Sequence, residues 1–118
     1  MFKRYAILSL GIAALGCATP VRDPAAPLVS GEVLFKAKQC YTCHTIGRGV
    51  LVGPDLKGLF ERRHVEWVRQ YIADPVTMTA TDPAAIELKK IYKVQMPRLA
   101  LSPADLDQLI LYLQSATR

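Results

Sequence analysis

The sequence predicts an all-α domain of three to five short helices. Three observations lead there. Near the C-terminus, Leu106, Leu109, Ile110 and Leu113 recur at i, i+3, i+4 and i+7, the spacing of one helix face. Asp82-Pro83 and Ser102-Pro103 each set a capping residue ahead of a proline, whose fixed φ suits the first helical position. No stretch shows the apolar–polar alternation of a half-buried strand. At 118 residues, 51% apolar and 21% charged, the chain has room for one small folded domain. Its net charge of +5 is too small and too scattered for a dedicated nucleic-acid binder.

The elements follow in chain order. Lys3 and Arg4 precede Tyr5–Leu15, which is apolar apart from Ser9. Eleven residues suit the core of an export signal, whereas a membrane span needs about 20. Residues 1–16 are therefore read as a signal peptide, and the mature protein as exported to the periplasmic side of a bacterial membrane. Ala14-Leu15-Gly16-Cys17 resembles the lipobox of bacterial lipoproteins, with Ala14 and Leu15 in the reverse of the usual order. That resemblance implies an acylated Cys17 and a lipid anchor in the membrane. Plain cleavage near Gly16 or Ala18, or an uncleaved short anchor, are the alternatives. Pro20, Pro24 and Pro27 make residues 17–29 a semi-extended tether to a domain at 30–118.

Ser30–Gln39 is expected to be helical, with Ser30 as N-cap and Glu32 in the positive first turn. Gly31 and Phe35, four residues apart, share a face. Next comes Cys40-Tyr41-Thr42-Cys43-His44, the C-x-x-C-H string of c-type haem attachment. The spacing has a chemical reason. On a helical turn, residues three apart lie on one side, so two thiols there can form thioethers to two vinyl groups of one porphyrin. The adjacent His44 is then placed to turn its ring to the iron. A thioredoxin-like pair would need a βαβ setting, and a zinc site would need a second ligand pair. The chain offers neither, since its remaining cysteine and histidine are the distant Cys17 and His64.

Thr45–Leu59 is a glycine-rich loop. Glu61–Ala73 reads as one helix, striped by Val65, Val68 and Ile72, widened by Trp67 and Tyr71, and closed by Asp74-Pro75. His64, flanked by charges, is read as a surface residue. Pro75–Ala80, with Met78, is read as a turn. A further helix is expected from Pro83 to about Ile91 or Tyr92. The last helix is expected over Ser102–Ala116, with Leu111 and Tyr112 widening its apolar face.

Taken together, residues 30–115 resemble the class I cytochrome c family. The resemblance implies a small cytochrome c fold, its short helices wrapped around one covalent haem c on Cys40 and Cys43, with the first and last helices crossing at Gly31, Phe35 and Tyr112. It implies His44 and Met96, just ahead of Pro97, as axial ligands of the haem iron. It also implies that the Pro54 carbonyl accepts a hydrogen bond from the other His44 ring nitrogen, fixing the tautomer. Trp67 offers its N–H, and Arg62 and Arg63 their guanidinium groups, to the haem propionates; a core Trp and two solvated arginines are the alternative. With both axial positions filled, the implied role is one-electron transfer between membrane-associated or periplasmic redox partners, not catalysis. A haem enzyme or gas sensor would need Met96 absent or displaceable. A non-haem redox module would leave Cys40 and Cys43 unmodified. Lys36, Lys38, Arg48 and Lys57 flank the attachment site, and Lys89, Lys90, Lys93 and Arg98 flank Met96. They form either a docking face for an acidic partner or a solvated surface.

Overall fold

A computed structural model describes residues 29–118. The expected export signal, Cys17 and all but the last residue of the tether lie outside the described residues. Within these, the chain is entirely helical and loop, with no strand. Six α-helices are present: α1 (Gly31–Ala37), α2 (Leu59–Arg62), α3 (Val65–Ala73), α4 (Pro75–Thr81), α5 (Pro83–Tyr92) and α6 (Pro103–Ala116). A short 3₁₀ turn, Cys40–Thr42, lies between α1 and α2.

Helices α5 and α6 start by the same local chemistry. Ser102 Oγ accepts the Asp105 N–H at 3.1 Å, and an Asp82 oxygen accepts the Ala85 N–H at 2.9 Å. Each such cap contributes about 1 kcal/mol. In both helices a proline occupies the first turn, where its missing N–H costs nothing.

Two sequence expectations are corrected here, and they explain why six helices appear rather than three to five. Glu61–Ala73 is not one helix. Arg63 is extended (φ −139°, ψ 137°), which ends α2, and His64 caps the start of α3. The apolar stripe Val65, Val68 and Ile72 lies wholly in α3, and Glu61–His64 carry no apolar residue whose spacing could mark the break. Pro75–Ala80 is not a turn but most of α4. Asp74 caps it by accepting the Thr77 N–H at 3.1 Å, and Pro75 opens it. Its threonines and valine are poor helix formers, which hides a start signal identical to that of α5 and α6.

The core is a cluster of Phe35, Val68, Ile72, Leu106, Leu109, Ile110 and Leu113, drawn from α1, α3 and α6. At the α1–α6 crossing Gly31 is buried. A Cβ on Gly31 would sit within 2.4 Å of the Tyr112 Cβ and even nearer the Gln108 carbonyl oxygen, so only glycine permits this approach. Phe35 and Tyr112 meet beside it, ring centroids 5.6 Å apart. Leu111 departs from expectation: it points outward and is 59% exposed. At the other end of α6, the Thr117 carbonyl accepts the Gly58 N–H at 2.5 Å, tying the loop before α2 to the C-terminus. Among the described residues no helix is long and apolar enough to cross a membrane.

Candidate cofactor site

The site begins where α1 stops. Gln39 takes the left-handed conformation (φ 57°) and redirects the chain into the 3₁₀ turn. The Thr42 hydroxyl donates to the Gln39 carbonyl at 2.7 Å, and the N–H groups of Cys43 and His44 both donate to the Cys40 carbonyl. A 3₁₀ turn has about three residues per turn, so residues i and i+3 eclipse. The turn brings Cys40 and Cys43 close together, and neither is in a disulfide. Burial pushes the Cys40 thiol above its usual pKa. Among the described residues no three metal-ligating side chains cluster, so this pair lacks the partners of a tetrahedral zinc site.

His44 is half-buried, and its Nδ1 lies 2.9 Å from the Pro54 carbonyl oxygen. That oxygen only accepts, so Nδ1 carries the proton and Nε2 presents a lone pair. Two residues with no role in the sequence reading make this possible. Gly53 is buried against the ring; a Cβ there would lie 2.7 Å from His44 Cε1. Its N–H also donates to the Cys43 carbonyl at 2.8 Å. Asp55 organises the loop, accepting the N–H groups of Gly47 and Gly49 at 2.7 Å each and of Lys57 at 2.9 Å. These donors pull its carboxyl down to about 2. The sequence signal for Gly53 was its place directly before Pro54; nothing in the pattern distinguished Asp55 from an ordinary loop aspartate.

Cys40, His44, Pro54 and Met96 all line one cavity of about 560 Å³. This falls within the roughly 300–1,000 Å³ of cofactor pockets. Core residues Phe35, Val68, Ile72, Leu109 and Leu113 form its apolar wall. Trp67, Arg62 and Arg63 line it too, with Lys57. Their polar groups are engaged in ways not expected from sequence. The Trp67 N–H donates to an Asp82 carboxylate oxygen at 3.1 Å. Arg62 donates to the carbonyls of Lys57 and Asp55. Arg63 lies over the Trp67 ring, 5.1 Å from its centroid, and Trp67 stacks on Tyr71. His64 is exposed and Met78 is outside the cavity lining.

Cys43 lines a smaller pocket that shares His44, Pro54 and Met96 with this cavity. Apolar walls, a basic rim, two neighbouring cysteines and a fixed imidazole fit a porphyrin with two carboxylate tails. The family model for cytochrome c matches residues 28–117. The chain belongs to the cytochrome c family. This cytochrome thus carries haem c, attached through Cys40 and Cys43 beside His44. Among solved structures it is similar to the cytochrome c domain of the pp3183 protein from Pseudomonas putida, at 34% identity and TM-score 0.65, over 75% of this chain and 88% of that one. It is also similar to a cytochrome c from Rhodothermus marinus, at 26% identity and TM-score 0.69, over 74% and 73% of the two chains. An engineered Rhodothermus marinus cytochrome c bound to a carbene intermediate shares the fold, at 23% identity and TM-score 0.64, over 84% and 90%. No curated protein matches the cytochrome.

Proposed function

We propose that this cytochrome is a one-electron carrier whose haem iron is held by His44 and Met96. The observation that carries this reading is that both side chains line the same cavity, with His44 locked by Pro54. Haem bound there supplies an iron that gains or loses one electron. The chain's residues do the rest. The Pro54 carbonyl holds the Nδ1 proton and so makes Nε2 a stronger donor. The apolar wall excludes water, and a thioether ligand favours the ferrous state. Two permanent ligands leave no position for substrate, which favours transfer over catalysis.

Docking has a narrower basis than the sequence suggested. Lys36 pairs with Glu32, Lys90 with Glu87 and Arg98 with Asp74, and Lys38 donates to the Ala100 carbonyl. Among the described residues Arg48, Lys57, Lys89 and Lys93 make no ion pair. Arg48 and Lys57 stand near an exposed apolar run, Val50-Leu51-Val52, of which Val50 borders the cavity. An apolar tip with cations beside it suits an acidic redox partner, attracted over distances that salt screens. The export signal and an acylated Cys17 would keep the carrier at the periplasmic face of a membrane.

The test is Met96→Ala in the haem-loaded protein. The ferric wild type should be low-spin and show the methionine–iron charge-transfer band; the variant should lose the band and bind added imidazole readily. An unchanged spectrum would remove Met96 from the iron. A wild type that already binds such ligands would favour a haem enzyme or gas sensor.

A further inference from the structure

Met96 lies in an irregular segment between α5 and α6, without helical hydrogen bonds to hold it. Helix α4 reaches this segment on both sides of the methionine. On one side the buried Thr79 places its hydroxyl 2.8 Å from Gln95 Oε1, and Gln95 Nε2 donates to the Met96 carbonyl at 3.1 Å. The direction of this chain is fixed by chemistry. The Met96 carbonyl only accepts, so the amide nitrogen must face it; the amide oxygen then faces Thr79, whose hydroxyl must donate. The Pro75 and Val76 carbonyls lie within 2.9 and 3.0 Å of the same hydroxyl, so one proton has three acceptors, and Gln95 is the nearest. On the other side, Asp74 accepts from Arg98 Nε at 3.0 Å and Nη2 at 2.9 Å. The same carboxylate group caps α4. The segment is thus held at the residue before Met96 and two residues after it.

We propose that α4 is a brace for the methionine segment, with Thr79 and Gln95 as positioning residues that set how firmly the Met96 sulfur is held toward the iron. This rests on Met96 being the axial ligand. The inner pair dominates. Thr79 is buried and Gln95 half-buried, whereas the Asp74–Arg98 pair is solvent-exposed and so contributes little. The brace works by orientation: the amide fixes the Met96 backbone plane, from which the thioether extends into the cavity.

The experiment titrates imidazole into ferric, haem-loaded wild type, Thr79→Val, Thr79→Ser, Gln95→Leu and Met96→Ala, following the methionine–iron charge-transfer band. Thr79→Val and Gln95→Leu should fold and keep the band, but yield it at three- to tenfold lower imidazole, about what loss of one net hydrogen bond produces. Thr79→Ser keeps the hydroxyl and should titrate like wild type. Unchanged imidazole affinity in both variants would overturn the proposal, even if their melting temperatures fall, since a purely structural role moves stability alone. If the buried Thr79→Val variant fails to fold, Gln95→Leu, at a half-buried site, decides the matter. A band that survives in Met96→Ala would instead refute the axial assignment itself, so the two failures are distinguishable.

Discussion

Gly53 stands where no side chain fits: the His44 ring fills the space its Cβ would need. Gly53→Ala should push the ring off its hydrogen bond to Pro54, because the contact on the other side is the ring itself and not a flexible chain end. Overpacking of this kind costs about 1–3 kcal/mol. The expected outcome is a lower melting temperature for the haem-loaded protein together with an altered ferric spectrum; a change in one without the other would separate packing from ligation. Asp55 acts on the same loop through charge. Its folded-state pKa of about 2 lies below the unfolded value near 3.9, so its contribution is full above pH 4 and fades as acid approaches pH 2. Hydrogen exchange of the Gly47 and Gly49 amides should accelerate across that window beyond the intrinsic rate. In Asp55→Ala their protection should be lost at every pH.

At the level of elements, the α1–α6 crossing is the least forgiving contact. The atoms facing Gly31 are a backbone carbonyl and a Cβ, neither of which can swing aside. Gly31→Ala should therefore cost about 3 kcal/mol or more. Denaturant titration should show a lower midpoint with an unchanged slope, whereas Gly49→Ala, which has open space around it but a positive φ, should cost less. The same scale shows what a sequence discloses. The start of α6 is legible because Ser102, Pro103 and the Leu106–Leu113 stripe all state the same thing. The attachment turn is legible because chemistry dictates its spacing. The break at Arg63 and His64 is not, since histidine rarely caps a helix and the polar run Glu61–His64 offers no periodicity to be interrupted. Helix α4 is masked by β-branched residues whose poor propensity is offset by Asp74, Pro75 and burial of Thr79. The Trp67 partner was unreadable because Asp82 lies fifteen residues away on another helix. The outward turn of Leu111 was unreadable because an apolar residue at the edge of a stripe has no fixed side.

For the molecule as a whole, five of the seven core residues are also the cofactor wall. Phe35, Val68, Ile72, Leu109 and Leu113 touch one another and also line the 560 Å³ cavity. Without the cofactor these apolar side chains would face water; fully burying one such side chain is worth about 1.5–3 kcal/mol, so five together weigh against the whole stability of a small domain. A Cys40→Ala/Cys43→Ala chain purified without haem should therefore lack a cooperative thermal transition and bind a hydrophobic dye. The loaded protein should melt cooperatively and leave the dye unbound. A native-like melt in the haem-free chain would show that the helices hold each other unaided.

The bond from Gly58 to Thr117 gives the last residues of the chain a task far from where they sit. Thr117 is buried, and its backbone clasps the loop that leads from the histidine to α2. Shortening the chain by two residues would open that clasp and let the loop swing, although nothing near the iron had been altered. An affinity tag fused directly after Arg118 would begin one residue from that clasp, so its removal before spectroscopy separates the handle from the protein.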